Sequence, residues 1–457
     1  MRFFMGPTIV NYSIATPDLV HELYRQARDR PHETYLFLWY LGKENLMFQR
    51  GPIVKEMRMR YGEMITQRSQ LDKVHAKTTR NFRADVERWT TAAGAAARPV
   101  DLFAVLGPAI YDIMGEVMFD APWMSTEEGR EVYRLHKKLI VEVNRWVLWP
   151  VGPIFHPGFV DYLLTLRKWR NLVGSLIDQR AKDMRENPKK YENDRSAIHM
   201  LLTSKKPDGT PFFSRARAVS TMCGFLNGAY DTTHCTSYWL FWQLAKHPEV
   251  QNKLVEEFQR VLPNPMEPTV DDLRLCEYLH AVVQESMRMV ATVPVNQRVN
   301  DKEDITLGGY HIPAGVNVNI PNGVIFKDER WFGKNPDKFI PERFLGNSPE
   351  AELARKSWTP FGEHTRMCIG QIFALVELKA MIHTIVTRST IELENPNDPG
   401  EVMIEAGVNQ PKDKQKFIFR PRNIGKMKEE DNLKWWMAQI EALEKIKPAA
   451  GNVAQMA

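Results

Sequence analysis

Apolar residues follow two rhythms along this chain. Over residues 71–185 they recur every three to four positions and predict mostly helix, with one break at 94–99. A further helix is predicted over 19–28, where Thr16-Pro17-Asp18 reads as an N-cap with proline in the first turn. The longest is predicted over 214–245 after the Pro207-Asp208-Gly209 turn, and another over 271–290. Residues 371–382 contain neither glycine nor proline and predict one more. Short alternating stretches at 2–5, 8–13, 306–320 and 404–419, punctuated by Gly6-Pro7, Gly308-Gly309 and Gly407, predict strands. The balance is a mainly α-helical fold with small β-sheets.

Three apolar stretches fit neither rhythm or stand apart. Residues 35–41 are densely aromatic and predict a loop, which read alone is ordinary core. Residues 146–157 are apolar but hold three prolines, which excludes a membrane-spanning helix. Leu433, Trp436, Met437, Ile440 and Leu443 share one face of a predicted terminal helix, which is expected to pack on its own domain or on a partner.

Composition narrows the class. A chain of 457 residues that is 43% hydrophobic and 10% aromatic can bury a large core. The net charge of +5 comes without a basic run interleaved with aromatics, which argues against nucleic acid. Cys223, Cys235, Cys276 and Cys368 have no disulfide-framework spacing, as expected in a reducing compartment. The opening Met1-Arg2-Phe3-Phe4-Met5-Gly6-Pro7 lacks the apolar stretch of a signal peptide or anchor.

The chemistry concentrates in residues 358–370, Trp-Thr-Pro-Phe-Gly-Glu-His-Thr-Arg-Met-Cys-Ile-Gly. Cys368 stands just ahead of a predicted helix, where free amides and the helix dipole favour a thiolate ready for a metal. The stretch resembles the haem-binding loop of the cytochrome P450 family, Phe-x-x-Gly-x-Arg-x-Cys-x-Gly. Phe361, Arg366, Cys368 and Gly370 match, while His364 replaces the usual glycine and must bear any positive φ itself. The resemblance implies haem b with Cys368 as its axial thiolate, and Arg366 as a propionate partner. Thiolate ligation pushes electron density to iron and favours O–O cleavage.

Other segments carry the resemblance in the family's order, to about Arg422. Gly228-Ala229-Tyr230-Asp231-Thr232-Thr233 resembles the Ala/Gly-Gly-x-Asp/Glu-Thr-Thr of its long helix, with Ala229 in place of the second glycine. Gly228, Asp231, Thr232 and Cys235 fall at i, i+3, i+4 and i+7, on one predicted face. By resemblance, Gly228 and Ala229 leave room for dioxygen while Asp231 and Thr232 deliver protons; read alone, the run is a kink with a threonine bonded back to its own turn. Cys223, His234 and Cys235 match no zinc spacing and read as core.

Glu285-x-x-Arg288 resembles the family's buried pair, completed by Arg343 from Pro341-Glu342-Arg343-Phe344. Arg58 and Arg298 are the remaining propionate partners, although Val54 stands where the family has a tryptophan. Asn296, Asn409 and Gln410 are candidate polar anchors for a substrate.

The resemblance implies one cytochrome P450 domain over 1–422, expected to lack an N-terminal anchor and first helix, with a helical extension over 423–457. It implies NAD(P)H-dependent insertion of one atom of O2 into an apolar small molecule. Electrons must come from a separate reductase or ferredoxin, since no flavin or nicotinamide fingerprint follows a strand. Peripheral membrane contact is expected at 146–157. A haem-thiolate isomerase, dehydratase or peroxide user is the alternative enzyme, and a non-catalytic haem-binding protein the alternative of another kind.

Overall fold

The computed structural model describes residues 2–5, 9–27, 29–30, 38–91, 98–147, 157–405 and 407–422. Along these run α1 (Pro17–Gln26), α2 (Leu38–Leu41), α3 (Pro52–Thr66), α4 (Arg68–Thr91), α5 (Leu102–Phe119), α6 (Glu127–Val147), α7 (Phe159–Glu186) and α8 (Ala197–Thr203). The long α9 (Arg215–Lys246) is followed by α10 (Pro248–Val261), α11 (Glu277–Met289), α12 (Asn322–Ile325), α13 (Glu329–Phe332), α14 (Pro349–Ser357) and α15 (Gln371–Val386). The strands are β1 (Arg2–Met5), β2 (Ile9–Ser13), β3 (Asn296–Val299), β4 (Ile305–Leu307), β5 (Tyr310–Ile312), β6 (Asn317–Ile320), β7 (Ser389–Leu393), β8 (Val402–Glu405), β9 (Val408–Pro411) and β10 (Phe417–Pro421).

The fold is mainly helical with small sheets, as the two rhythms predict. Ser214 caps α9 by accepting from the Arg217 amide at 3.2 Å, and α9 then crosses the helical core with most of its faces buried. It packs on α5 and α7, while α15 lies along α4. A smaller core, including Val20, Leu23, Val318 and Phe344, sits under the sheet ordered β1-β2-β6-β3. Among the described helices, α5 alone is long and apolar enough to cross a membrane, and 61% of it is buried inside the protein.

Two expectations change. The predicted 271–290 helix is a short 3-10 turn at Asp272–Arg274 and then α11, because Cys276 takes an extended conformation. Glu257 of α10 fixes this start, accepting from the Tyr278 amide at 2.6 Å and the Leu279 amide at 2.8 Å. In the aromatic stretch, Leu38–Leu41 is one helical turn, not loop, and Tyr40 stacks on Trp169 with ring centroids 5.4 Å apart. Tyr40 is therefore core. Residues 148–156, much of the apolar 146–157 segment, and the tail over 423–457 lie outside the described residues.

One buried acid is conspicuous in α15. Glu377 is fully buried, neither oxygen has a hydrogen-bond partner among the described residues, and burial raises its pKa to about 8 from 4.5. The folded carboxyl thus keeps a proton that the unfolded one loses, so stability falls as pH rises between those values. Glu377→Met, similar in volume, is expected to add on the order of 3 kcal/mol at pH 8 and little at pH 4. Chemical denaturation at both pH values checks this; an equal effect at both would mean Glu377 does not titrate as described.

Candidate active site: the cavity at Cys368

Residues 361–370 form a tight loop ahead of α15. The Cys368 amide donates to the Phe361 carbonyl at 2.8 Å, closing it. Gly362 has φ 67 and His364 has φ 54, so the histidine does carry the left-handed turn where the family motif has glycine. That conformation costs a non-glycine residue roughly 1–2 kcal/mol, which the closed loop absorbs. Trp358 ties the loop's start to α11, its indole N–H donating to the Gln284 carbonyl at 3.0 Å.

The Cys368 side chain is exposed, and it opens into an internal cavity of about 330 Å³. Burial pushes the thiol's pKa up; the Gly370 amide and the guanidiniums of Arg30 and Arg58 pull it down. The same cavity is lined by a stripe of α9 that includes Thr221, Phe225, Gly228, Thr232 and Thr236. A Cβ on Gly228 would meet no atom of the described residues within 4 Å, so glycine here leaves open space among them. Thr232 donates its hydroxyl to the Gly228 carbonyl at 2.7 Å, which leaves the oxygen as an acceptor. The back-bonded threonine expected from the sequence alone is thus present, and it is on the cavity wall.

Arg58, Arg298 and Arg366 line this cavity as expected, and so does Phe361. Arg298 lies 4.7 Å from the Tyr24 ring centroid and donates to the Gln297 carbonyl at 2.7 Å. Arg366 donates to Asp29 at 3.0 Å and to the Gln49 carbonyl at 2.7 Å, fastening the Cys368 loop to the segment before α3. Arg30 is a fourth cation on the wall, and no motif marks it in the sequence. Burial, with Arg298 and Arg366 nearby, lowers its pKa to about 10. Lining the cavity are these four guanidiniums and, among the described residues, no carboxylate. A guest that brings two carboxylates and a metal for the thiol fits this donor set, which is the description of haem b.

Four expected site residues lie elsewhere. Asp231 does not line the Cys368 cavity; adjacent helical residues point about 100° apart, so it turns from Thr232 toward a second cavity. Ala229 is partly buried against the helical core and leaves the open space to Gly228 alone. Of the polar anchors, Asn296 lines the Cys368 cavity, Gln410 lines the second one, and the Asn409 amide is committed to the Ala291 carbonyl at 2.7 Å.

The predicted ion cluster forms behind the loop. Glu285 and Arg288 are both fully buried, with N–O distances of 2.6 and 2.9 Å, and Arg343 joins Glu285 at 3.2 Å. Arg288 also donates to the Phe326 and Lys338 carbonyls, and the Ile340 amide donates to Glu285 at 2.8 Å. The donors are spent on partners, the condition for burying such a cluster.

The cytochrome P450 family model matches residues 1–419. This chain belongs to the cytochrome P450 family. That makes it a haem-thiolate protein with haem b as cofactor, in a family of oxidoreductases that act as monooxygenases. It is 28% identical to human cytochrome P450 3A7 over 66% of this chain and 59% of that protein. It is 24% identical to the mitochondrial 1,25-dihydroxyvitamin D(3) 24-hydroxylase of Rattus norvegicus, over 90% of this chain and 79% of the relative. A tabersonine/lochnericine 19-hydroxylase from Catharanthus roseus is 26% identical over 60% of this chain and 57% of its own length. The matches to the first and third of these span less than two thirds of those relatives.

Proposed function

We propose that this P450 inserts one atom of O2 into an apolar small molecule, with electrons from a separate reductase or ferredoxin. The observation that carries the reading is that Cys368, Gly228 and Thr232 line one cavity together with four guanidiniums. Haem b, when bound, supplies dioxygen activation, with the thiolate donating electron density. The protein's part is to hold and exclude. Arg30, Arg58, Arg298 and Arg366 neutralise the propionates, and Phe225, Phe361 and Ile369 keep the site apolar. Thr232 Oγ1, beside Gly228, would be the hydroxyl that passes a proton into the cavity, and Asp231 the acid that supplies it from the far side of α9. Two relatives named as hydroxylases support oxygen insertion as the outcome. Four free cysteines fit a reducing compartment, at the cytoplasmic face of the endoplasmic reticulum or in the cytoplasm.

Turnover of a panel of apolar substrates with a reductase system, compared with peroxide alone, tests the reading. Product that forms with the reductase and O2 supports it. Product from peroxide only, or isomerised substrate without oxygen, would replace it with the other haem-thiolate class.

Thr232→Ala is expected to lower coupling, the product formed per NAD(P)H, by about tenfold or more, with the lost electrons recovered as hydrogen peroxide. Unchanged coupling would remove Thr232 from proton handling.

A further inference from the structure

The second cavity, about 330 Å³, is at the small end of the range for ligand pockets, and among the described residues it shares none with the Cys368 cavity. The start of α5, α6, α9 and the β8–β9 hairpin enclose it. Two of its polar side chains are more than nine-tenths buried, Asp231 of α9 at 7% exposure and Gln410 of β9 at 8%. Neither side chain has a hydrogen-bond partner among the described residues. A buried carboxyl and a buried amide that the protein leaves unpaired are left for an occupant.

The chemistry of the walls selects that occupant. The groups available to it are mostly acceptors: the Asp231 carboxylate, the Gln410 carbonyl, and Glu405, half-buried at the end of β8. His234 spends its Nε2 proton on the Phe103 carbonyl at 2.7 Å, and burial lowers its pKa to about 4, so its other nitrogen is an acceptor at pH 7. Asp101 is committed to the Ala104 amide at 2.9 Å. Burial keeps Tyr133 and Tyr230 protonated, and their rings with Phe103 offer electron-rich faces. The cations of this space, Lys137 and Lys414, are both exposed, where water and salt screen them. Lys414 already lays its ammonium 4.6 Å from the Phe103 ring centroid, so one wall carries a cation–ring contact.

We propose that the second cavity binds a small organic cation that has N–H donors and a flat apolar body, such as an aryl amidinium. Its head pairs with the Asp231 carboxylate, a planar fork meeting two oxygens, within reach of a space also lined by Glu405 and Gln410. Its body lies against the rings of Phe103, Tyr133 and Tyr230. The site is distinct from that of the oxygenated substrate, and it does not depend on the part Asp231 plays in oxygenation. Asp231 pairs only when ionised. Burial, with a smaller contribution from the Glu405 charge, raises its pKa to about 7, so binding should tighten as pH rises through that value.

Calorimetric titration of the haem-loaded protein with benzamidinium chloride, beside neutral benzamide, tests this, with the Soret band reporting any contact with the iron. Benzamidinium is expected to bind with Kd below about 1 mM at pH 8, about tenfold tighter than benzamide, and to leave the Soret band unmoved. On the parental protein its affinity should fall about tenfold from pH 8 to pH 6, as the ionised fraction of Asp231 falls. Asp231→Asn, equal in shape, is expected to weaken binding by about tenfold or more and to abolish the pH dependence. Gln410→Leu is expected to weaken it a few-fold, and unchanged melting temperatures would show that both variants fold. Equal binding of benzamide, unchanged affinity in Asp231→Asn, a Soret shift that tracks saturation, or no binding at pH 8 would each overturn the proposal.

Discussion

Cys368→Ser is expected to bring oxygenation below roughly a thousandth of the parental rate, an added barrier of about 4 kcal/mol. A serine hydroxyl is a far weaker acid than a thiol and a poor soft ligand, so the iron would lose its anionic sulfur ligand. Packing gives no competing explanation. The side chain opens into the cavity, so its exchange leaves the core intact. The variant should therefore fold, and its circular dichroism and melting temperature should match the parent. Full oxygenation by Cys368→Ser with reductase would show that another residue holds the haem.

Arg288→Ala is expected to have the largest effect on stability, about 3–5 kcal/mol, because it strands the fully buried Glu285 carboxylate without its bidentate partner. It also frees the Phe326 and Lys338 carbonyls that Arg288 satisfies. A loss of that size is a large share of the stability of any domain. Haem retention should suffer too, since Gln284, next to Glu285, accepts the Trp358 indole at the start of the Cys368 loop. The double variant Glu285→Leu/Arg288→Leu, which removes both charges, should be less destabilised than Arg288→Ala. Denaturant titration of the two checks this. Equal losses would mean that the pair matters for shape and not for charge.

The parts of this site that depend on local spacing were legible in the sequence. Gly362, His364, Arg366 and Cys368 lie within one loop, and the Gly228–Thr232 spacing reaches one cavity because α9 is an uninterrupted helix. What depends on chain reversal was legible only where the family resemblance carried it, as for Arg58 and Arg298. Arg30 reaches the cavity from the segment between α1 and α2, and Glu405 lines the same second cavity as Asp231 because the β8–β9 hairpin folds back on α9. The split of Asp231 from Thr232 follows from the 100° step of a helix, which a shared-face reading treats too broadly. The α11 boundary was missed for the same reason as Arg30: Glu257, which sets it, comes from another helix.

The central claim is that a sulfur anion from Cys368 holds iron in this cavity. Purified protein reduced with dithionite and treated with carbon monoxide tests it most directly by difference spectroscopy. A strongly red-shifted Soret band, lost in Cys368→Ser, is the expected result. A band at the position of a nitrogen-ligated haem, or no haem spectrum at all, would contradict the account.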